Sequence, residues 1–348
     1  MKTNQYMKKY ILLTSLFLAI LNPFIRAQSY FIFERITPKD IEPIKTRKLI
    51  VILAEPNPDD IGYYKTRKRL DEIDKLKRLC DTLNMALKES ISTHWTFHTQ
   101  ATFMRLEEYK KAYPKGDKQH IIVHFASLHS PLYPHFNINI DTSKMKSREK
   151  LFSREQQVNY LVFVRGEKAL SNYFRYFLLP ESIPGHLSAF FMVGLCDFFF
   201  QAILEKGKKI IRKEMLEIML KDKARLANKT LVIYKDWVAK SMTEEGIEAI
   251  YPYPVKLVDK EELIAIVRSK SANFVWYASA PIQEASSSSI NNHISISYSH
   301  VHFLVDNATG NPLVMMHPYL HWPTRHKGRE DRFLNEENLG KMVELMKQ

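Results

Sequence analysis

The sequence has few of the residues from which common catalytic and cofactor sites are built. Only two cysteines occur in 348 residues, and neither has the Cys/Cys or Cys/His spacing of a zinc or redox site. The ten glycines are scattered and form no glycine-rich phosphate loop. The HExxH pattern of zinc peptidases and the GxSxG turn of α/β hydrolases are both absent. These absences argue against a disulfide-rich scaffold and leave the enzyme classes that these motifs define without support.

The composition is that of a globular protein with a moderate excess of positive charge. Apolar residues make up 45% of the chain and charged residues 26%, which excludes wholesale disorder and a collagen-like fibre. The chain has 51 Lys and Arg against 38 Asp and Glu, a formal charge of +13. Its length of 348 residues predicts two domains, at about 100–200 residues each.

The first 27 residues have the three parts of a secretory signal peptide. Lys8 and Lys9 supply the positive region, Tyr10–Ile20 the apolar run and Ala27 the small residue before the predicted cleavage site. An uncleaved anchor is the alternative, since apolar residues continue to Ile25. Cleavage leaves 47 basic against 38 acidic residues, a charge of +9. The sequence therefore predicts export to the periplasm, the cell surface or the medium.

Export permits a disulfide, and only one pairing is available. Cys80 lies in a charged helical stretch and Cys196 in a very apolar one. We expect two buried, unpaired thiols; the pairing stays open at this point.

Internal similarity is the most informative pattern. Lys48–Leu53 and Lys229–Tyr234 are β-branched apolar runs, typical of buried strands. Ile121–Ser127 and Asn273–Ser279 match in the same way, and both end in Ala-Ser. The sequence therefore predicts a duplicated unit.

Each predicted unit continues with helices and a hairpin. The helices are Arg67–Glu89, Met104–Ala112 and Lys260–Ser269, the last capped by Asp259. Further strands are expected at 136–140, 160–164, 293–305 and 312–316, with a turn at Asp306–Gly310. The run Ser286–Ser289 indicates a flexible loop.

The predicted fold class is α/β (α+β-like), with two related units of order β-α-β-α-β-β-β and mixed sheets, joined by a helical segment. The order of elements resembles the small α/β domains of the TolB N-terminal and curli-secretion-lipoprotein type. That resemblance covers about 100 residues per unit and implies a fold, not an activity.

The segment between the units carries a very apolar stretch, Leu187–Leu204. It has the length of a membrane span, but Asp197 lies near its centre, where a charge costs about 2.5–3.5 kcal/mol. Membrane association through residues 187–204 is therefore possible but not favoured, and we expect a buried helix shared by both units.

These patterns divide the chain into six parts. They are a signal peptide (1–27), an N-terminal extension (28–47), a first α/β unit (48–169), a helical connector (170–227), a second α/β unit (228–320) and a C-terminal loop and helix (321–348).

Histidine is the one residue type whose placement suggests a metal. His300 and His302 fall on one face of a predicted strand and are weak metal candidates. His120 and His124 alternate in the same way, and a third group consists of His317, His321 and His326, with prolines between its members. Partly buried packing histidines are the favoured interpretation. No cofactor and no catalytic residue is predicted.

The sequence favours a non-enzyme: an exported interaction or assembly module of the cell envelope that contacts envelope proteins or glycans. Nucleic acid is not an expected partner, because aromatic residues are not interleaved with the basic runs. One alternative is a bilobed binder of a small solute. The other is a hydrolase with an unrecognised site, for which the available carboxylates are Asp59, Asp60, Asp141, Asp259 and Asp306.

Overall fold

The computed structural model describes residues 36–127, 132–134, 159–165, 175–178, 185–288, 293–316 and 333–347. Outside these residues lie the predicted signal peptide, the predicted strand at 136–140, Asp141 and the group His317, His321 and His326.

The described residues form a first sheet of five strands in the spatial order β2-β1-β3-β4-β5. Strands β1 and β2 and strands β1 and β3 are parallel, and β3, β4 and β5 follow in antiparallel pairs. Its strands are β1 (Lys48–Ile52), β2 (Ala101–Met104), β3 (His120–Ser127), β4 (Asn159–Arg165) and β5 (Arg175–Leu178). The helices of this half are α1 (Pro38–Thr46), α2 (Pro58–Thr66), α3 (Leu70–His94) and α4 (Leu106–Ala112).

Strand β5 corrects one predicted boundary. It lies in the interval assigned to the helical connector, yet it pairs with β4, with Tyr160 opposite Leu178. The first sheet therefore extends to residue 178. The four residues of β5, Arg175–Leu178, do not alternate between polar and apolar, so they lack the pattern that would reveal a half-buried strand.

The second sheet repeats this arrangement of strands, in the order β7-β6-β8-β9-β10. Here too the first three strands are parallel and the last two antiparallel. Its strands are β6 (Thr230–Tyr234), β7 (Val255–Val258), β8 (Phe274–Ser288), β9 (His293–Asp306) and β10 (Pro312–Met316). The helices are α5 (His186–Lys206), which precedes the sheet, α6 (Arg212–Leu220), α7 (Glu244–Glu248), α8 (Lys260–Ser269) and α9 (Glu336–Lys347). The predicted α/β class with two mixed sheets is confirmed; descent of the two halves from one ancestral unit stays a prediction.

Helices α3 and α5 lie between the two sheets. One continuous core joins Val51 and Phe125 of the first sheet to Trp276 and Phe303 of the second. The ring of Phe191 on α5 contacts Trp276 and Phe303, with centroids 6.1 and 5.1 Å away. Helix α4 covers the outer face of the first sheet, and α6, α7 and α9 pack on the outer face of the second. The described layers are therefore α/β/α/β/α.

Helix α5 is buried on all sides because it is apolar on all sides. Fifteen of its 21 residues are buried. Within the described part of the chain it is the one helix long and apolar enough to cross a membrane, and 83% of its apolar window is buried inside the protein. Asp197 is not left unpaired: it accepts hydrogen bonds from the Thr96 backbone N–H (2.7 Å) and hydroxyl (3.0 Å).

The turn between β9 and β10 joins the second sheet to these central helices. The predicted hairpin is present, and Gly310 has the positive φ of +74° that the turn requires. A Cβ atom on Gly194 of α5 would lie 2.9 Å from the Gly310 carbonyl oxygen. The turn therefore rests directly on the α5 backbone. Asp306, at its start, is fully buried and bonded to the Lys229 ammonium at 2.6 Å.

Candidate functional site

The two metal candidates lie on β9, two positions apart. The His302 side chain is 2% exposed, and its Nδ1 lies 2.5 Å from the Tyr277 hydroxyl. His300 is partly exposed. Among the described residues, no group of three His, Cys, Asp or Glu side chains is placed to hold a metal ion. The structure gives His302 a packing and hydrogen-bonding role instead.

The histidines of β3 are also held within the fold. His120 bonds to the carboxylate of Asp117. His124 is buried, and its Nδ1 lies 3.1 Å from the Phe125 carbonyl oxygen. Burial lowers the pKa of His124 to about 4, so its ring is neutral near pH 7 and is not available as a cation.

The cysteines do not form a reactive or redox site. Both are free and buried, which confirms the expectation of unpaired thiols. Burial raises the pKa of Cys80 and of Cys196 above the ordinary value. A thiol that stays protonated is a poor nucleophile.

The four predicted carboxylates that the structure describes do not converge on one site. Asp59 and Asp60 are in the first turn of α2, and Asp259 caps α8 as predicted, accepting from the Glu262 N–H at 2.8 Å. Asp306 is the last residue of β9 and is buried in its ion pair with Lys229. The hydrolase alternative gains no support from them.

A cleft lies at the carboxyl edge of the first sheet, where β1 and β2 end. We call it the carboxyl-edge cleft; its volume is about 540 Å³, and it is lined by residues 53–56, by one stripe of α3 and by Arg105. Helix α3 packs on the inner face of the sheet and α4 on the outer face. The connections that follow β1 and β2 therefore run to opposite faces of the sheet and leave a crevice between them. Open α/β sheets bind ligands in such crevices at the carboxyl ends of their strands.

The fold holds this cleft in shape. Leu53 continues the line of β1 by donating its N–H to the Met104 carbonyl oxygen at 2.9 Å. The Asn84 amide then fixes both backbone groups of Ala54, accepting from its N–H at 2.7 Å and donating to its oxygen at 3.0 Å. A side chain of α3 thus secures the loop that follows β1.

Charges of both signs surround the cleft, with an excess of one positive charge. Lys77, Lys88 and Arg105 are the cations, and Glu55 and Asp81 are the carboxylates. Positions 77, 81, 84 and 88 of α3 follow helical spacing, so they share one face of the helix. The cleft is not recognisable from the sequence, because its residues come from three separated segments and each segment has the composition of an ordinary charged surface.

The second unusual feature is a long two-stranded ribbon. Strands β8 and β9 pair from Val275 and Asp306 out to Ser288 and His293. The pairing of β6 with β8 ends at Trp276, and that of β10 with β9 ends at His302. We call the outer part of this pair, residues 282–288 and 293–299, the ribbon. The predicted loop at 286–289 is wrong in part, since β8 continues to Ser288.

Comparison with known proteins does not assign a family or a function to the chain. No family model matches the chain, and no curated protein or solved structure is significantly similar to it. The resemblance of its element order to the TolB N-terminal and curli-secretion-lipoprotein domains therefore receives no support from a solved structure. Any function must be argued from the geometry of the chain itself.

Proposed function

We propose that the chain is a non-catalytic, exported interaction or assembly module of the cell envelope, whose partners are envelope proteins or glycans. The observation that carries the proposal is the ribbon. Within the described part of the chain, its two strands pair only with each other beyond β6 and β10.

A ribbon of this kind is suited to protein contacts. An isolated two-stranded hairpin is marginally stable in water, so a ribbon that extends past its sheet gains from a surface to pack against. Its outer edges also carry backbone N–H and C=O groups that can pair with a further strand. Strand addition to such an edge is a common mode of recognition. Strand β8, which continues into the ribbon, also approaches β5 of the first sheet.

The bilobed alternative is less well supported by the core. A solute binder that closes around its ligand needs two lobes that move apart. Here the residues of α5 and both inner sheet faces form one cluster, and opening it would expose large apolar surfaces such as those of Phe191 and Phe303. Two sheets that share one core suit an interaction scaffold better than a solute-binding protein that opens and closes.

Site-specific crosslinking in the native envelope tests the proposal. A photoreactive amino acid at Ser286 or Ser297 should give a discrete adduct, because these positions lie in the ribbon. The matched control is Lys115, which is exposed in the turn between α4 and β3 and should give none. Equal labelling from all three positions, or none from the ribbon, contradicts the proposal.

A shortened variant provides a second control. Gln283 pairs with Tyr298, so an Asn-Gly turn in place of residues 284–297 closes the hairpin at that pair. The variant should keep the far-ultraviolet spectrum and the melting temperature of the parent while its native complex disappears. A complex that survives the deletion places the contact elsewhere and overturns the role of the ribbon.

A further inference from the structure

We infer that the carboxyl-edge cleft binds a small organic monoanion with an apolar body. This site is separate from the ribbon, and its occupancy does not depend on the proposed interaction role. The volume of about 540 Å³ lies within the range of about 300–1,000 Å³ that is usual for small-molecule pockets.

The cations of the cleft are available to a ligand. Within the described part of the chain, Arg105 makes no ion pair, and Lys88 contacts only the face of the Phe103 ring, 5.6 Å from its centroid. Lys77 pairs with Asp74 at 3.3 Å, and both side chains are more than half exposed. Exposed pairs of this kind contribute little. A carboxylate or phosphate can therefore engage these groups without breaking a strong contact, and Arg105 can do so with two N–H donors.

The carboxylates of the cleft limit the charge of that ligand. With Glu55 and Asp81 opposite three cations, the formal charge of the lining is +1. A single negative charge on the ligand matches this lining, whereas a second one is left uncompensated and is repelled by the two carboxylates. The lining thus selects against polyanions such as nucleic acids.

The apolar part of the lining favours a ligand with a hydrocarbon body. Met85 is one of the few large apolar side chains exposed in the described part of the chain, at 60%, and Leu53 and Pro56 lie in the same cleft. A flexible thioether adapts to ligands of varied shape. A hydrocarbon body placed here covers apolar surface that is otherwise wet.

The cleft is also preformed. Because Asn84 holds both backbone groups of Ala54, the loop does not have to become ordered when a ligand arrives. Binding then avoids a conformational cost that flexible sites incur.

Thermal denaturation of the full chain with hexanoate and hexanamide tests the inference. The two probes share a hydrocarbon body and differ in charge. Hexanoate should raise the melting temperature, by an amount that grows with the logarithm of its concentration above Kd, and hexanamide should not. Arg105→Gln should weaken hexanoate binding about tenfold, the effect of losing a charge-assisted hydrogen bond. Arg78→Gln is the control, because Arg78 is an exposed α3 residue outside the cleft and should bind like the parent.

Asp81→Asn tests the selection against a second charge. Loss of this carboxylate should improve the binding of hexyl phosphate more than that of hexanoate. The inference is overturned if hexanoate and hexanamide act alike, or if Arg105→Gln binds hexanoate as well as Arg78→Gln does. It is also overturned if neither hexanoate nor benzoate shifts the melting temperature or the amide resonances of the chain at millimolar concentration. None of these results bears on crosslinking through the ribbon.

Discussion

Asp197 shows how one residue makes the central helix depend on pH. Its carboxylate is 7% exposed and accepts hydrogen bonds from Thr96. Burial raises the pKa of Asp197 to about 6, and the bonds from Thr96 only partly offset this. The native state therefore holds the proton more tightly than the unfolded chain does. Stability from this group is present at low pH and is lost as pH rises from about 4 to about 6.

Asp197→Asn should remove this loss. The amide keeps an acceptor for the Thr96 N–H and can donate to the Thr96 hydroxyl, but it carries no charge. We expect the variant to gain up to about 3 kcal/mol in the free energy of unfolding at neutral pH and little near pH 4. Urea unfolding of both proteins across this range measures the difference.

Other groups change stability with the opposite sign, so only the difference between the variant and the parent is diagnostic. Burial lowers the pKa of His94 to about 4. Its contribution is therefore complete above about pH 6.5 and is lost as pH falls. A difference between Asp197→Asn and the parent that stays constant with pH would show that the carboxyl is not buried as described.

At the scale of elements, the contact between α5 and the β9–β10 turn depends on small residues. Gly194 lies inside α5, where glycine is normally unfavourable by about 1 kcal/mol relative to alanine. Its place is explained by the Gly310 carbonyl oxygen, which a Cβ atom would approach to 2.9 Å. Helix propensity and packing are thus in conflict at this position, and packing decides the residue.

Two Gly→Ala substitutions separate these effects. A Cβ atom on Gly340, inside α9, would meet no atom of the described residues within 4 Å, so Gly340→Ala should stabilise the protein by about 1 kcal/mol. Gly194→Ala should destabilise it by about 1–3 kcal/mol, because the turn must move. Chemical denaturation measures both. Stabilisation by Gly194→Ala would mean that α5 and the turn are not in contact.

The sequence predicted elements well where a continuous apolar run or a capping residue marks them. The β-branched runs Lys48–Leu53 and Lys229–Tyr234 contain β1 and β6, and the Lys260–Ser269 helix has the predicted bounds. Strand β5 was missed because its four residues do not alternate between polar and apolar. The end of β8 was missed because a cluster of serines is typical of a loop, and the pairing with β9 reveals the strand.

At the scale of the whole molecule, the two sheets share one core. Trp95 stacks on Phe163 of the first half, while Trp276 contacts Phe191 beneath the second sheet. Both tryptophans belong to the same cluster of buried residues. If either sheet unfolds, the apolar surface of the central helices that also cover the other sheet becomes exposed.

The molecule should therefore unfold in one step. Variants that retain fluorescence only from Trp95 or only from Trp276 should give the same urea midpoint, and that midpoint should match the far-ultraviolet signal. Two midpoints would show that the halves are independent domains. In each of the two variants the other three tryptophans are replaced by phenylalanine, so that the two variants carry the same number of substitutions.

The candidate sites were harder to predict than the core. A buried strand or helix is recognisable within a short window of sequence, whereas the carboxyl-edge cleft needs residues 53–56, α3 and Arg105 in one place. Nothing local distinguishes Arg105 from other exposed cations; its position follows only from the parallel pairing of β1 with β2.

The place of α5 in the chain has a consequence for synthesis. It follows the first sheet and precedes the second. A nascent polypeptide that ends before β6 therefore exposes the apolar face of α5 that the second sheet would cover. Ribosome-bound intermediates of this length resemble the clients of chaperones. The carboxyl-terminal half thus covers the apolar surface that the amino-terminal half leaves exposed. Neither half can be exchanged as an independent domain.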